Sequence, residues 1–132
     1  MNRTAYYKAL FIIGGVWNFI LSVPFLLLSF FDRTLLSLLV VGIFTGATLM
    51  YYQVFLWFVI VFGIGYTIVG LNLDKNHGIV LLGAIAKILA FISFLAYYLS
   101  GDVPFSLAMI GIGDLIFAIL FIEFLINYKK LA

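Results

Sequence analysis

Charge is the scarcest property of this sequence. Of 132 residues, 9% are Asp, Glu, Lys or Arg, whereas 67% are hydrophobic, and the mean hydropathy is +1.31. A soluble domain carries about 25% charged residues, so there is too little polar surface here to coat a water-soluble globule. Lipid is the expected solvent. Cysteine is absent, which excludes disulfides, thiolate metal sites and thiol nucleophiles, and leaves the redox compartment undetermined. Histidine occurs once, as His77, and one imidazole does not make a metal site. The net charge is only +2, and apart from Lys129 and Lys130 the basic residues are scattered. A basic stripe for nucleic acid is therefore lacking. Neither a metal, a cofactor nor a nucleic-acid partner is expected.

What the chain does have is long apolar runs. A helix needs about 20 apolar residues to cross a bilayer. Four segments qualify, at about 5–30, 49–71, 78–99 and 104–127. They imply an all-α, multi-pass membrane four-helix bundle that forms a single transmembrane domain over 1–132. The first run is longer than the apolar region of a signal peptide and lacks a small-residue cleavage site, so it is expected to stay in the membrane.

Polar breaks separate the runs. Asp32-Arg33 ends the first, Asn72 to Gly78 is a polar turn, and Ser100 to Pro104 is another. Pro104 stands where the first turn of a helix tolerates proline. Pro24 lies inside the first helix, where it removes a backbone hydrogen bond and is expected to kink or loosen the outer third. The segment 34–48 is apolar but short, and "GIFTGAT" interrupts it. Joined to the next run it would give about 40 uncharged residues, twice what one crossing needs. An interfacial or re-entrant helix over 34–44 is the expectation, and a fifth crossing is the competing reading.

Lys and Arg fix orientation in membrane proteins, being enriched on the cytoplasmic side. With four crossings, Arg3, Lys8, Lys75, Lys129 and Lys130 share one side, and only Arg33 is on the other. The expected location is the cell membrane, with both termini cytoplasmic. Tyr6, Tyr7, Tyr51, Tyr52, Tyr97, Tyr98 and Tyr128 fall near the interfaces, where amphipathic rings prefer to sit.

Four side chains that lipid disfavours lie well inside the hydrocarbon: Asn18, Lys87, Asp114 and Glu123. A charge at mid-bilayer costs a few kcal/mol or more, so such groups face the bundle interior and find partners. At 1.5 Å per residue, Lys87 lies about 14 Å from the inner end of the third helix, and Asp114 and Asn18 about 20 Å from the inner ends of theirs. A lysine stem spans that difference. Glu123 is only about 6 Å deep and is half a turn out of phase with Asp114. Asp114, on the hairpin partner of Lys87's helix, is thus its expected counter-ion. That pair either fixes helix register or serves in binding or proton movement. Asn18 reads as interhelical glue or a ligand contact. Glu123 reads as a snorkelling residue, a partner for the Lys129 region, or a functional acid. His77 reads as a solvated loop residue.

A weak internal echo runs through the chain. "IIGGVWNFI" and "LLGAIAKIL" align Asn18 with Lys87, and "FGIGYTI" and "IGIGDLI" align Tyr66 with Asp114. Two repeated hairpins and chance alignment of Gly-rich helices both explain it. In either case, small residues just before each polar one let backbones approach closely and direct the polar group inward. The ligand-binding or buried polar cluster expected from these residues is Asn18, Lys87, Asp114, Tyr66 and Glu123. An apolar, aromatic shaft is expected above its deep members, formed by Phe25, Phe91, Phe94, Leu95 and Leu107; a solid bundle filled by the same rings is the alternative.

The stretches "GVWNFILSVPFLL", "FGIGYTIVGLNLDKNHGIVLLGAIAKIL" and "GDLIFAILF" together resemble small four-helix bacterial membrane proteins that are broadly DoxX-like in size and layout. That resemblance implies a four-helix bundle and no particular reaction. In length and helix count the chain also resembles the small multidrug transporters. Those depend on an intramembrane glutamate in the first helix, where this chain has Asn18.

Three classes of function follow. The first is a bundle that binds an apolar or amphipathic molecule, or a partner membrane protein. The second is a small oligomeric proton-coupled transporter using Lys87 with Asp114 or Glu123. The third is a lipid- or quinone-modifying membrane enzyme, for which Asp114, Glu123, Lys87 and Tyr66 would have to supply acid and base. The first class asks least of the residues present. Beyond the bilayer, the partners to look for are an apolar small molecule, a second copy of the chain, or another membrane protein.

Overall fold

The computed structural model describes residues 2–40, 42 and 44–131. Five α-helices follow one another: α1 (Arg3–Phe31), α2 (Arg33–Val40), α3 (Gly46–Leu71), α4 (His77–Leu99) and α5 (Phe105–Asn127), with a 3-10 turn at Tyr128–Lys130. The fold is all-α. Four of these helices span the membrane, and α2 is a short helix between the first two of them.

Local chemistry sets the boundaries. Asn2 caps α1, its side chain accepting from the Thr4 N–H at 2.8 Å. Asp32 plays the same part for α2, accepting from the Leu35 N–H at 3.0 Å. A side-chain acceptor here satisfies an amide that the helix itself cannot pair. The interfacial segment expected over 34–44 forms as a helix that ends at Val40, and Val41 and Ile43 of that segment lie outside the described residues. The second run begins at Gly46, before the expected position 49, because Thr45 and Thr48 form a reciprocal capping box. Between α4 and α5 the chain turns tightly through Gly101, at φ +82°, a conformation that costs glycine nothing. α1 stays helical through Pro24, with no break before Phe31. The Pro24 ring and Ile20, whose carbonyl it leaves unpaired, are both on the exposed face of α1. The defect therefore faces lipid and does not line the bundle interior.

Many large aliphatic side chains point outward. Ile20, Leu82 and Ile119 are each more than half exposed, as lipid-facing positions are. Asn18, Ser22, Lys87 and Asp114 turn inward, with several glycines and the rings of Tyr7, Phe11, Tyr66, Phe121 and Phe124. α1 packs most extensively on α3, and α4 on α5, so the bundle consists of two tight antiparallel pairs. In the first pair the backbones nearly touch: a Cβ on Gly15 would come 2.9 Å from the Gly63 carbonyl oxygen. Close approach of this kind is how membrane helices associate without a hydrophobic driving force.

The two pairs meet firmly only in the half of the bundle that holds both termini. There Tyr7, Phe11, Tyr66, Phe121 and Phe124 are fully or almost fully buried in one cluster. Phe11 packs against Phe121 and Phe124 at centroid separations of 4.9 Å each. Beyond Lys87, by contrast, α4 has no buried residue. The bundle is solid in one half and hollow in the other.

Candidate functional site

The hollow is a cavity of about 410 Å3 between the two helix pairs. Its walls are apolar and largely aromatic, with Phe25 from α1, Phe55, Phe58 and Phe62 from α3, Phe94 from α4 and Leu107 from α5. Leu39 and Val40 of α2 also reach it at the outer end. Leu36, fully buried, anchors that short helix. Of the shaft expected from sequence, Phe25, Phe94 and Leu107 line the space, whereas Phe91 and Leu95 do not. Helix geometry explains the difference. Phe94 follows Lys87 by seven residues and returns to nearly the same direction, while steps of four and eight drift progressively to one side. Leu95 ends 37% exposed on the outside.

The floor is polar. Lys87 Nζ donates to Asp114 Oδ1 at 2.5 Å and to Asn18 Oδ1 at 3.1 Å. All three residues are buried, and all three line the cavity. Asn18 Nδ2 in turn donates to the Val59 carbonyl of α3 at 3.1 Å. That contact depends on the close α1–α3 approach at Gly63, where a Cβ would lie 2.9 Å from Phe19 and 3.2 Å from Asn18 Cβ. The ammonium also faces two rings, with Nζ 5.6 Å from the Tyr66 centroid and 5.4 Å from that of Phe117. Cation–π attraction strengthens when water is excluded. One lysine of α4 is thus held by groups from the three other long helices.

The pairs aligned in the sequence echo meet at this point. Asn18 and Lys87 share a hydrogen bond, and Tyr66 and Asp114 both approach Nζ. Tyr66 itself is 1% exposed, its ring laid against Gly83 of α4. Phe117 was not among the residues singled out from sequence. Its place three residues, nearly one turn, after Asp114 was the available signal.

Glu123 lies elsewhere, near the termini. Among the described residues it pairs with no cation. Tyr7 Oη donates to it at 2.9 Å and Tyr6 Oη at 3.5 Å, tying α5 to the start of α1. Of these two tyrosines, Tyr7 is 2% exposed, so it turns inward and is no part of an interfacial belt. His77 also departs from expectation. Its Nε2 lies 2.7 Å from the Leu73 carbonyl oxygen, and its ring packs 4.0 Å from that of Tyr128. Among the described residues no group of His, Asp and Glu is placed to hold a metal, and the cavity offers no nucleophile beside a base.

No protein-family model matches the chain, and neither a curated protein nor a solved structure is significantly similar to it. The functional reading therefore rests on the cavity and its floor.

Proposed function

We propose that this membrane protein binds an apolar or amphipathic molecule in the cavity between its two helix pairs. One observation carries the reading: a charged, hydrogen-bonded cluster sits at the blind end of an aromatic cavity of about 410 Å3. Ligand sites are commonly concave, mostly apolar, of about 300–1,000 Å3, with a few placed polar groups. A pair that served only helix register would need no space beside it. We further place both termini on the cytoplasmic side of the cell membrane, because five of the six loop and terminal cations fall there. The cavity then belongs to the outer half of the bilayer.

The test is the lipid complement of the purified protein. Mild extraction followed by mass spectrometry should find an apolar species at near-stoichiometric level. Ile110→Trp, which fills the cavity from α5, should lose it. An identical complement in both proteins would count against the reading.

A second reading draws on the same ion pair. Intramembrane Lys and Asp side chains serve as proton relays in transporters, so the chain would work as a small proton-coupled carrier. The aromatic packing below Lys87 weighs against it. Proton-coupled flux in liposomes that is abolished by Asp114→Asn would favour it.

A further inference from the structure

The floor of the cavity has a hydrogen-bonding pattern that selects among amphipathic molecules. Lys87 directs hydrogen bonds at Asp114 and Asn18, and its remaining approach is shared by the rings of Tyr66 and Phe117. Its third N–H faces those rings and has no acceptor among the described residues, so the balance of charge, not a lack of donors, decides against an incoming anion. With Lys87 and Asp114 the floor is electrically balanced, so an added charge of either sign would be buried without a counter-ion.

Two oxygen atoms remain. Asp114 accepts one hydrogen bond, at Oδ1, and among the described residues none reaches Oδ2. The Tyr66 hydroxyl likewise has no partner among them. Both residues line the cavity. Neither atom is sealed away, because only Trp17 Nε1 is both buried and unpartnered among the described residues. Buried polar groups are normally satisfied, and a carboxylate oxygen accepts only. The complementary group is a neutral donor, and a hydroxyl can serve Oδ2 as donor and the tyrosine as donor or acceptor.

The route in indicates where such a molecule comes from. On α3, Tyr66, Phe62 and Phe55 recur at helical spacing, as do Gly65 and Phe58. On α4, Gly83, Ala86 and Ala90 do the same. Gly65 meets Ile79, and Tyr66 meets Gly83, so these stripes face each other and close the seam at its inner end. Farther out the seam parts. Phe55 and Phe58 line the cavity and are still 49% and 61% exposed. The cavity thus opens sideways into the membrane. At roughly 30 Å3 per water-sized group, its volume suits a single chain and not a two-chain lipid.

We infer that the site takes a single-chain membrane lipid with a neutral hydroxyl head, which enters between α3 and α4 and hydrogen-bonds to Asp114 Oδ2 and the Tyr66 hydroxyl. This rests on the proposed binding role and narrows it to a ligand class.

Native mass spectrometry from phosphatidylcholine nanodiscs carrying equal mole fractions of dodecanol, dodecanoate or dodecane tests it. Dodecanol should occupy the wild-type protein at least tenfold more than the other two. The pair Lys87→Met with Asp114→Leu should bring that preference below threefold. Tyr66→Phe, which keeps the ring, should reduce it severalfold and serves if the double variant does not fold. Equal occupancy by all three molecules would overturn the hydroxyl assignment and leave apolar binding standing. Preference for dodecanoate would also overturn it, by showing that Lys87 takes anions. Occupancy by none of them would overturn both the assignment and the binding role.

Discussion

The ring of Tyr66 on α3 lies directly against the backbone of Gly83 on α4. A Cβ built on Gly83 would come 2.5 Å from Tyr66 Cε1 and 2.6 Å from its hydroxyl oxygen. The ring is 1% exposed and packs 4.8 Å from Phe121, so it gives way only by moving toward the cavity. Gly83→Ala is therefore expected to destabilise the fold by about 1–3 kcal/mol through overpacking. Gly78→Ala, on the same helix with open space at its Cβ, should be tolerated. Unfolding in mixed micelles compares the two. Equal stability of both variants would show that Tyr66 can move.

The Lys87–Asp114 pair gives a second expectation. Lys87→Met strands a buried carboxylate, and the cost of stranding such a charge is about 3–5 kcal/mol. Lys87→Met combined with Asp114→Leu leaves no charge behind and should be clearly milder. The same unfolding assay reads both. If the single variant is as stable as the double, Asp114 is compensated by something other than Lys87.

Tyr7 and Glu123 give a third. The hydroxyl donates to a carboxylate at 2.9 Å, and hydrogen bonds to charged groups are stronger than average, although interhelical bonds in membranes average only about 0.6 kcal/mol. Tyr7→Phe is expected to cost about 1–2 kcal/mol. Tyr6→Phe, at 3.5 Å, should cost measurably less. A reversed order would mean that Tyr6 is the main partner of Glu123.

Topology gives the fourth. Four crossings put both termini on one side and the 100–104 turn on the other. Reporters fused after Asn2 and after Ala132 should both be active in the cytoplasm, and one inserted at Gly101 should be active outside. Opposite locations for the two terminal fusions would refute the arrangement, and reversal of all three would refute the orientation alone.

Much of this architecture could be read from the chain, for identifiable reasons. The spans are legible because lipid demands long uncharged runs, and Asp32-Arg33, Asn72 to Gly78 and Ser100 to Pro104 interrupt them. The Lys87–Asp114 contact follows from depth and a short hairpin. The tyrosine partners of Glu123 are not legible in that way. They come from the far end of the sequence, and nothing in local spacing distinguishes an inward Tyr7 from an interfacial one. His77 escaped for the same reason, since Tyr128 reaches it from the last turn of the chain. The cavity walls were legible only in part, because the side to which α4 turns its face depends on how the two helix pairs lean together. Phe94 and Phe91 differ by less than one turn, yet only Phe94 lines the space.

The aromatic cluster around Phe11, Phe121 and Phe124 closes the bundle on the terminal side of Lys87. On the proposed binding role, a molecule held above Lys87 would have no continuation toward the termini and would leave through the other half of the bundle. Its residence would then be set by how readily α3 and α4 part near Phe58, and it would be drawn from a single leaflet. On that proposal the protein would act as a receptor or reservoir for one face of the membrane, with the same plug between the buried ion pair and the water on the other.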